Sequence, residues 1–421
     1  MASVIIDMIP ELFKYIKVNH YNAQTFRSDF IAGTTVAIVA LPLSMALAIA
    51  SGASPEKGLI TAIVAGFFIS LLGGTRLQIG GPTGAFIIIV YDVIAKYGYD
   101  GLLLATFLAG ILLIIAGYLK LGKIIEHVSH SVITGFTTGL AIVLVSSQVK
   151  DFFGLSIDSI PSHFVEKWII FISNFHSINF YSATIGFLSL FFIIAQRKYF
   201  SKLPGFLIVV ILSSLFIYFF HVPVETIGSK YPDIGTDLFH PALPVWDLPL
   251  VIKVLPSAFT IAFLAAVESL LCAVITDRMT SYKHNPNQEL VGQGIANIAS
   301  SIFGGVSATG ALARTVTNIQ AGAKTPIAGI THCLLILLFV LFGMSLTSYI
   351  PLACLSGILV MVAWNMSEAK HFIALLKDSK INYLIMLTTF FITIFVGVSE
   401  SISVGLLLSF AAKKWLEPAK S

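Results

Sequence analysis

The chain has 421 residues, 57% of them hydrophobic and 11% charged, with a mean hydropathy of +0.92. A soluble domain carries about 25% charged residues, so this composition excludes an ordinary soluble enzyme and points to a polytopic membrane protein. The net charge of +4 is too small and too scattered for a nucleic-acid surface, and Cys272, Cys333 and Cys354 sit in apolar runs with neither pairing nor metal-ligand spacing.

The first residues, 1–28, read as an amphipathic cytoplasmic helix: Ile5, Ile6, Met8, Ile9, Leu12, Phe13 and Ile16 alternate with polar positions that include Lys14 and Lys17. The segment lacks a basic start and a small-residue cleavage site, so it is expected to be retained. Seven apolar runs follow, at 29–50, 58–73, 83–97, 101–118, 131–149, 166–196 (broken near 173–177) and 204–221. A polar, proline-rich stretch, 222–250, then separates them from seven more, at 251–277, 288–303, 309–321, 325–345, 351–364, 380–397 and 399–415, with a short tail at 416–421. An odd number of crossings per repeat turns the second half upside down, so 29–221 and 251–415 are expected to form an inverted pair. Basic residues accumulate on one side (Arg76, Lys120, Lys123, Arg197, Lys198, Lys202, Arg278, Lys283, Lys324, Lys370, Lys377, Lys380, Lys413, Lys414), while Glu225, Asp233, Asp237 and Asp247 fall on the other. By the positive-inside rule both termini are cytoplasmic.

The halves also match in sequence. Leu59 to Gly74 (LITAIVAGFFISLLGG) resembles Leu290 to Gly305 (LVGQGIANIASSIFGG), and each is followed by a Thr-Gly-Ala triplet, at 83–85 and 309–311, opening a run too short and interrupted to span a bilayer. Paired broken segments of this kind mark a transporter's binding site at the repeat interface, near the bilayer midplane. A helix starting there leaves its first N–H groups without intrahelical partners and carries about half a positive charge. Two such ends facing each other make a small anion pocket, expected to use Thr83, Gly84, Ala85, Thr309, Gly310 and Ala311.

Arg314 lies five residues past Thr309, about 7.5 Å along a helix, and a charge at that depth must face a cavity or a partner. Glu268 shares a small, polar stripe with Ala265, Ser269, Cys272 and Thr276 on an otherwise apolar helix, a setting that suits a proton-coupling group, a cation ligand or a partner for Arg314. In the first run, Pro42 frees a carbonyl, and Ser44 shares a face with Ala37, Ala40 and Ala48; the alanines read as packing and Ser44 as site lining. His332 reads as a hydrogen-bonded core histidine, and Asn285 to Glu289 as a helix cap. His-Glu-x-x-His, Gly-x-Ser-x-Gly and paired-carboxylate motifs are lacking, so no enzyme, catalytic residue, resident metal or cofactor is expected.

Three stretches, LPLSMALAIASGASPEKGL (41–59), GGTRLQIGGPTGAF (73–86) and the run from Glu268 to Asn318, resemble the sulfate permease (SulP) family, whose animal members form solute carrier family 26. The resemblance covers nearly the whole chain. It implies an all-α, UraA-like fold of 14 transmembrane segments in two inverted repeats of seven, a core and a gate domain, and an elevator-like movement of the core. It puts the anion site between half-helices 3 and 10, onto which Thr83 with Gly84 and Ala85, and Ala308 to Ala311, map, and Arg314 at the basic position of the tenth segment. Glu268 falls on the acidic position of the eighth, linked to protons where it is Glu and to sodium in cyanobacterial bicarbonate transporters where it is Asp. Those sodium sites add a hydroxyl one turn later, where this chain has Cys272, which favours a proton. Many members carry Gln in the first segment where Leu43 or Ser44 stands here, and most end in a cytoplasmic STAS domain, which this sequence is not expected to carry.

The expected function is therefore secondary transport of sulfate, bicarbonate or a dicarboxylate across the inner or plasma membrane, by proton symport, with a homodimer plausible from the family. The alternatives are a sodium-coupled bicarbonate transporter, a nucleobase transporter of the same fold, and an anion channel.

Overall fold

The computed structural model describes residues 8–18, 21–125, 129–157, 161, 163–200, 204–232 and 241–416. Residues 1–7 of the expected N-terminal helix, Lys202, Asp233, Asp237 and the tail beyond residue 416 lie outside the described residues. The amphipathic segment is a helix, α1 (Glu11–Val18). It docks through an ion pair from Glu11 to Arg76 and a Glu11 N–H donated to the Gly73 carbonyl, and the Arg76 guanidinium stacks 3.7 Å over Tyr282.

The apolar runs form α2 (Ala23–Ala50), α3 (Pro55–Leu72) and α4 (Ile87–Tyr118), then α5 (Gly122–Ile125), α6 (His130–Phe153), α7 (Phe164–Ser173), α8 (Phe180–Tyr199) and α9 (Gly205–Phe220). After α10 (Ile227–Lys230), the second half gives α11 (Leu248–Met279), α12 (Pro286–Ile302), α13 (Leu312–Gln320), α14 (Ile327–Gly343), α15 (Leu352–Met366), α16 (Ala369–Leu375), α17 (Lys380–Phe395) and α18 (Val398–Leu416). Among the described residues, eight helical stretches are long and apolar enough to cross a membrane, with shorter apolar helices beside them, which makes this an integral, multi-pass membrane protein. Phe191, Phe219, Phe342 and Leu407 point outward, where lipid rather than water receives them.

Local chemistry sets the breaks. Gly98 has φ 72°, a conformation glycine adopts without steric cost, and it divides α4 where the runs 83–97 and 101–118 part. The expected interruption near 173–177 is a 3₁₀ turn, Phe175–Ser177, between α7 and α8. Pro55 and Pro286 both open helices at the first turn, where proline's missing N–H costs nothing, so α3 and α12 begin alike as well as end alike.

Two groups of helices emerge from the packing. One holds α2, α3 and α4 against α11, α12 and α14; the other holds α6, α8 and α9 against α15, with α17 and α18 on α6. In the first group α4 and α12 cross at glycines: a Cβ on Gly110 would lie 2.5 Å from the Gly294 carbonyl, and one on Gly294 2.5 Å from the Gly110 carbonyl. Small residues at such a crossing let two backbones approach within the membrane.

Candidate functional site

The two sequence breaks meet. Gly80–Gly81 and Thr309–Gly310 form short strands, β1 and β2, paired antiparallel with Gly80 opposite Gly310 and Gly81 opposite Thr309. This is the pairing that two segments related by an inverted repeat must make. Glycine is required at the contact: a Cβ on Gly310 would sit 1.9 Å from Gln78 Nε2, and Gly81, at φ 151°, would bring one within 2.5 Å of Arg314 Nη1.

Extended backbone at membrane depth must be satisfied by protein, since lipid offers no partners. Asn297 acts as a side-chain strand, accepting from Ala308 N and donating to Ala308 O, both at 2.9 Å. Thr61 accepts from Val306 N at 2.7 Å, Ser300 donates to Val306 O at 2.7 Å, and Thr106 and Ser307 share a 2.7 Å hydrogen bond. On the first-half loop, Thr315 accepts from Ile79 N at 3.0 Å and Asn318 donates to Leu77 O at 2.9 Å. The fully buried Glu289 accepts from Gly74 N, Gln78 Nε2 and Gln293 Nε2 at 2.8–3.0 Å, while Asn285 makes the expected cap of α12. Glu289 is thus an internal strut rather than part of the cap.

From the strands each chain enters a helix. Thr83 is extended, Gly84–Phe86 make a 3₁₀ turn into α4, and Ala311 caps α13, its N–H donated to the Ile79 carbonyl at 2.7 Å. Both starts open on one cavity of about 270 Å³ between the two helix groups. Thr83, Gly84, Ala85, Glu268, Cys272, Ala311 and Arg314 line it. A Cβ on Gly84 would meet Met366 Sδ at 3.5 Å, Val362 Cγ1 at 3.6 Å and Leu144 Cδ2 at 3.7 Å, ordinary van der Waals contacts, so that backbone packs against the apolar wall without crowding.

Arg314 is 1% exposed. Its Nη2 donates to Ser44 Oγ at 3.1 Å and to the Pro82 carbonyl at 3.3 Å, while Nε and Nη1 have no partner. No carboxylate lies within 4 Å of it among the described residues. Glu268 accepts a hydrogen bond from Thr83 Oγ1 at 2.9 Å and makes no ion pair among the described residues. The two opposite charges therefore share a cavity, each held by neutral groups rather than by the other. Cys272 Sγ is 3.4 Å from Thr315 Oγ1, which ties the small, polar stripe of α11 to α13.

The remaining expected residues lie behind the lining. Ser44 is fully buried and touches the cavity only through Arg314. Thr309 turns its hydroxyl to the Ala265 carbonyl at 3.0 Å, Ala308 is held by Asn297, and Gly310 packs on Gln78. One to three positions along the chain separate Gly310, Thr309 and Ala308 from Ala311. His332 is fully buried as expected; its Nε2 is unpartnered and its Nδ1 lies 3.6 Å from Cys333 Sγ.

Leu43 of α2, one of the two positions where the resemblance puts a Gln in many members, also lines the cavity. Other lining residues carried no signal in the sequence: Leu47 of α2, Phe136 of α6, Phe206 of α9 and Met366 of α15 form apolar walls with it, and apolar walls read like any lipid-facing stretch. At one end stand Arg197, Asn365 and Glu368, with Arg197 Nη1 donating to Asn365 Oδ1 at 2.7 Å.

Comparison with known proteins places this architecture. The chain is 41% identical over 391 residues to YvdB of Bacillus subtilis (strain 168), a protein named for sulfate transport, covering 93% of this chain and 74% of that one. It is 29% identical to the bicarbonate transporter BicA of Picosynechococcus sp. (strain ATCC 27264 / PCC 7002 / PR-6), covering 96% and 73%. Among solved structures, the transmembrane domain of a cyanobacterial BicA superposes with a TM-score of 0.79 at 28% identity, covering 93% of this chain and 99% of that one. Murine Slc26a9, an anion transporter, superposes with a TM-score of 0.87 at 18% identity over 99% and 72%, a likeness of fold. The sequence profile of the sulfate permease family matches residues 26–389, so with the fold and these relatives in agreement the chain belongs to the sulfate permease family.

Proposed function

We propose that the protein is a secondary active transporter of a small oxyanion, sulfate or bicarbonate, that couples uptake to protons through Glu268. The observation that carries this reading is Arg314: a buried cation with two unpaired nitrogens at the wall of a cavity onto which two helix N-termini open. The anion would take the unpaired guanidinium N–H groups together with the first N–H groups of the turn at Gly84 and Ala85 and of α13. Thr83 then links the sites, since it lines the cavity and its hydroxyl donates to Glu268.

Fourteen segments, in repeats 29–221 and 251–415, give the core and gate that an elevator movement needs. The helix group holding Arg314 and Glu268 is the moving body, and α6, α8, α9, α15, α17 and α18 are the frame. Arg197 and Glu368 mark the cavity mouth, and the basic residues around them make that mouth cytoplasmic, along with both termini. The named relatives transport sulfate or bicarbonate and favour this substrate class over nucleobases. A sodium-coupled bicarbonate reading is favoured by the likeness to BicA and is separated by the same assay.

The test is radiolabelled sulfate and bicarbonate uptake into proteoliposomes with a competitor panel, under imposed pH or sodium gradients. Uptake driven by an inward proton gradient, and abolished by Glu268→Gln while substrate still binds, is the expected result. Sodium-driven uptake insensitive to pH would assign the second reading, and no uptake of either anion would refute both.

A further inference from the structure

We propose that His130, Glu368 and His371 form a binding site for a divalent transition-metal ion, of the zinc type, at the mouth of the cavity. The three residues come from two helices that lie far apart in sequence. His130 opens α6, Glu368 caps α16, and His371 stands one turn further along α16. One ligand atom from each lies within 4.8 Å of the others: His371 Nδ1 is 3.6 Å and His130 Nε2 3.9 Å from Glu368 Oε2. Metal–ligand bonds of about 2.0–2.1 Å in tetrahedral geometry place neighbouring ligand atoms about 3.4 Å apart, so the two carboxylate–imidazole separations need to close by a few tenths of an ångström and the imidazole–imidazole separation, bounded by 4.8 Å, by at most about 1.4 Å.

The donor set has the required chemistry. Two imidazoles and a carboxylate suit zinc and its neighbours, whereas magnesium and calcium select oxygen ligands. Thr134 Oγ1 donates to the Glu368 carboxylate at 2.6 Å, a bond that fixes the ligand's orientation as outer-shell partners do. Both histidines are exposed, which gives the ion a path from water and leaves a fourth position for a water molecule. An ordinary surface ion pair needs one histidine; here two rings, their centroids 5.2 Å apart, converge on one carboxylate oxygen. Since 238 positions separate His130 from Glu368, no spacing motif announces the site.

Glu368 also lines the cavity, so occupancy changes the charge at the mouth from one negative to one positive. The site thus stands where it can act on anion entry without touching Arg314 or Glu268.

The experiment is isothermal titration of the tag-free, chelator-stripped protein in detergent with Zn²⁺ alone, repeated with Mg²⁺. The wild type is compared with the double variant His130→Gln/His371→Gln and with Glu368→Gln, each checked for a monodisperse elution profile. One Zn²⁺ site in the wild type, weakened at least tenfold in both variants and not filled by Mg²⁺, is the expected result. Wild-type protein that binds no Zn²⁺, or a folded double variant that binds it with the same affinity and stoichiometry, overturns the proposal.

Discussion

Replacing Arg314 by glutamine separates a binding role from a structural one, because the two make opposite demands. As a binding group, Arg314 offers Nε and Nη1, both buried and unpaired, to an anion. A hydrogen bond to a charged group contributes about 1.5–3 kcal/mol, so losing even one such contact weakens substrate binding by about 10- to 150-fold. As a structural group, Arg314 makes only the Ser44 and Pro82 bonds. Against them stands the cost of a charge at membrane depth, about 2.5–3.5 kcal/mol on insertion scales. The two terms are of similar size, and glutamine can retain a bond to Ser44. The thermal midpoint in detergent should therefore move little, while the substrate concentration for half-maximal uptake rises by one to two orders of magnitude. Uptake measured in proteoliposomes and unfolding followed on the same preparation give both numbers. Unchanged half-saturation, or loss of uptake accompanied by a collapse of thermal stability, would refute the argument and make Arg314 a strut.

Three further substitutions probe what supports the site. Ser44→Ala removes the acceptor that aims Arg314, a contribution of about 1 kcal/mol; half-saturation should rise about fivefold at unchanged maximal rate, and a purely rate-lowering effect would contradict the positioning role. Gly294→Val forces a side chain into the Gly110 carbonyl and should destabilise by at least about 1–3 kcal/mol, seen as a lowered thermal midpoint. Glu289→Ala leaves three buried donors unpaired at about 1–3 kcal/mol each and should sharply cut the yield of monodisperse protein. Glu289→Gln, whose one amide oxygen can still accept from Gln78 Nε2 and Gln293 Nε2 while its NH2 leaves Gly74 N–H unserved, should be milder; equal yields from the two variants would show that the network bears no weight.

How far the sequence discloses the site depends on what each residue must do there. Gly98, the turn at 173–177 and the Thr-Gly-Ala breaks were readable because glycine, proline and interrupted hydrophobicity have few other uses inside an apolar run. Thr83, Glu268 and Arg314 were readable because charge and hydroxyl at membrane depth need a reason. Depth within the wall was not readable. Ser44 and Thr309 lie on the right elements yet sit behind the lining, since periodicity assigns a face but not the distance to a cavity. Asn297, Thr61 and Ser300, which complete the backbone of the second-half loop, looked like a polar helix face, because their partners lie on a segment whose path the sequence does not specify. Phe136 and Met366 are apolar residues among many, and only the packing of the two helix groups turns them toward the cavity.

The separation of Arg314 from Glu268 gives the proposed coupling its physical basis. Had the two formed an ion pair, protonating the carboxylate would have broken a buried bridge, a strongly destabilising step, and the anion would have competed with Glu268 for the guanidinium. Here the carboxylate rests on Thr83 and the guanidinium on Ser44 and the Pro82 carbonyl, so each can change its partner alone. With Glu268 ionised, its charge opposes an anion in the same cavity; with Glu268 protonated, Arg314 and the helix ends act on the anion unopposed. Proton and anion therefore favour each other's binding, and linkage makes the effect reciprocal: the factor by which acid tightens anion binding equals the factor by which the anion tightens proton binding. Glu268→Gln fixes the protonated side of that cycle, which is why it should bind the anion yet gain nothing from a pH gradient. Wild-type affinity that stays flat from acid to alkaline pH would break the linkage at its first step, whatever the variant did.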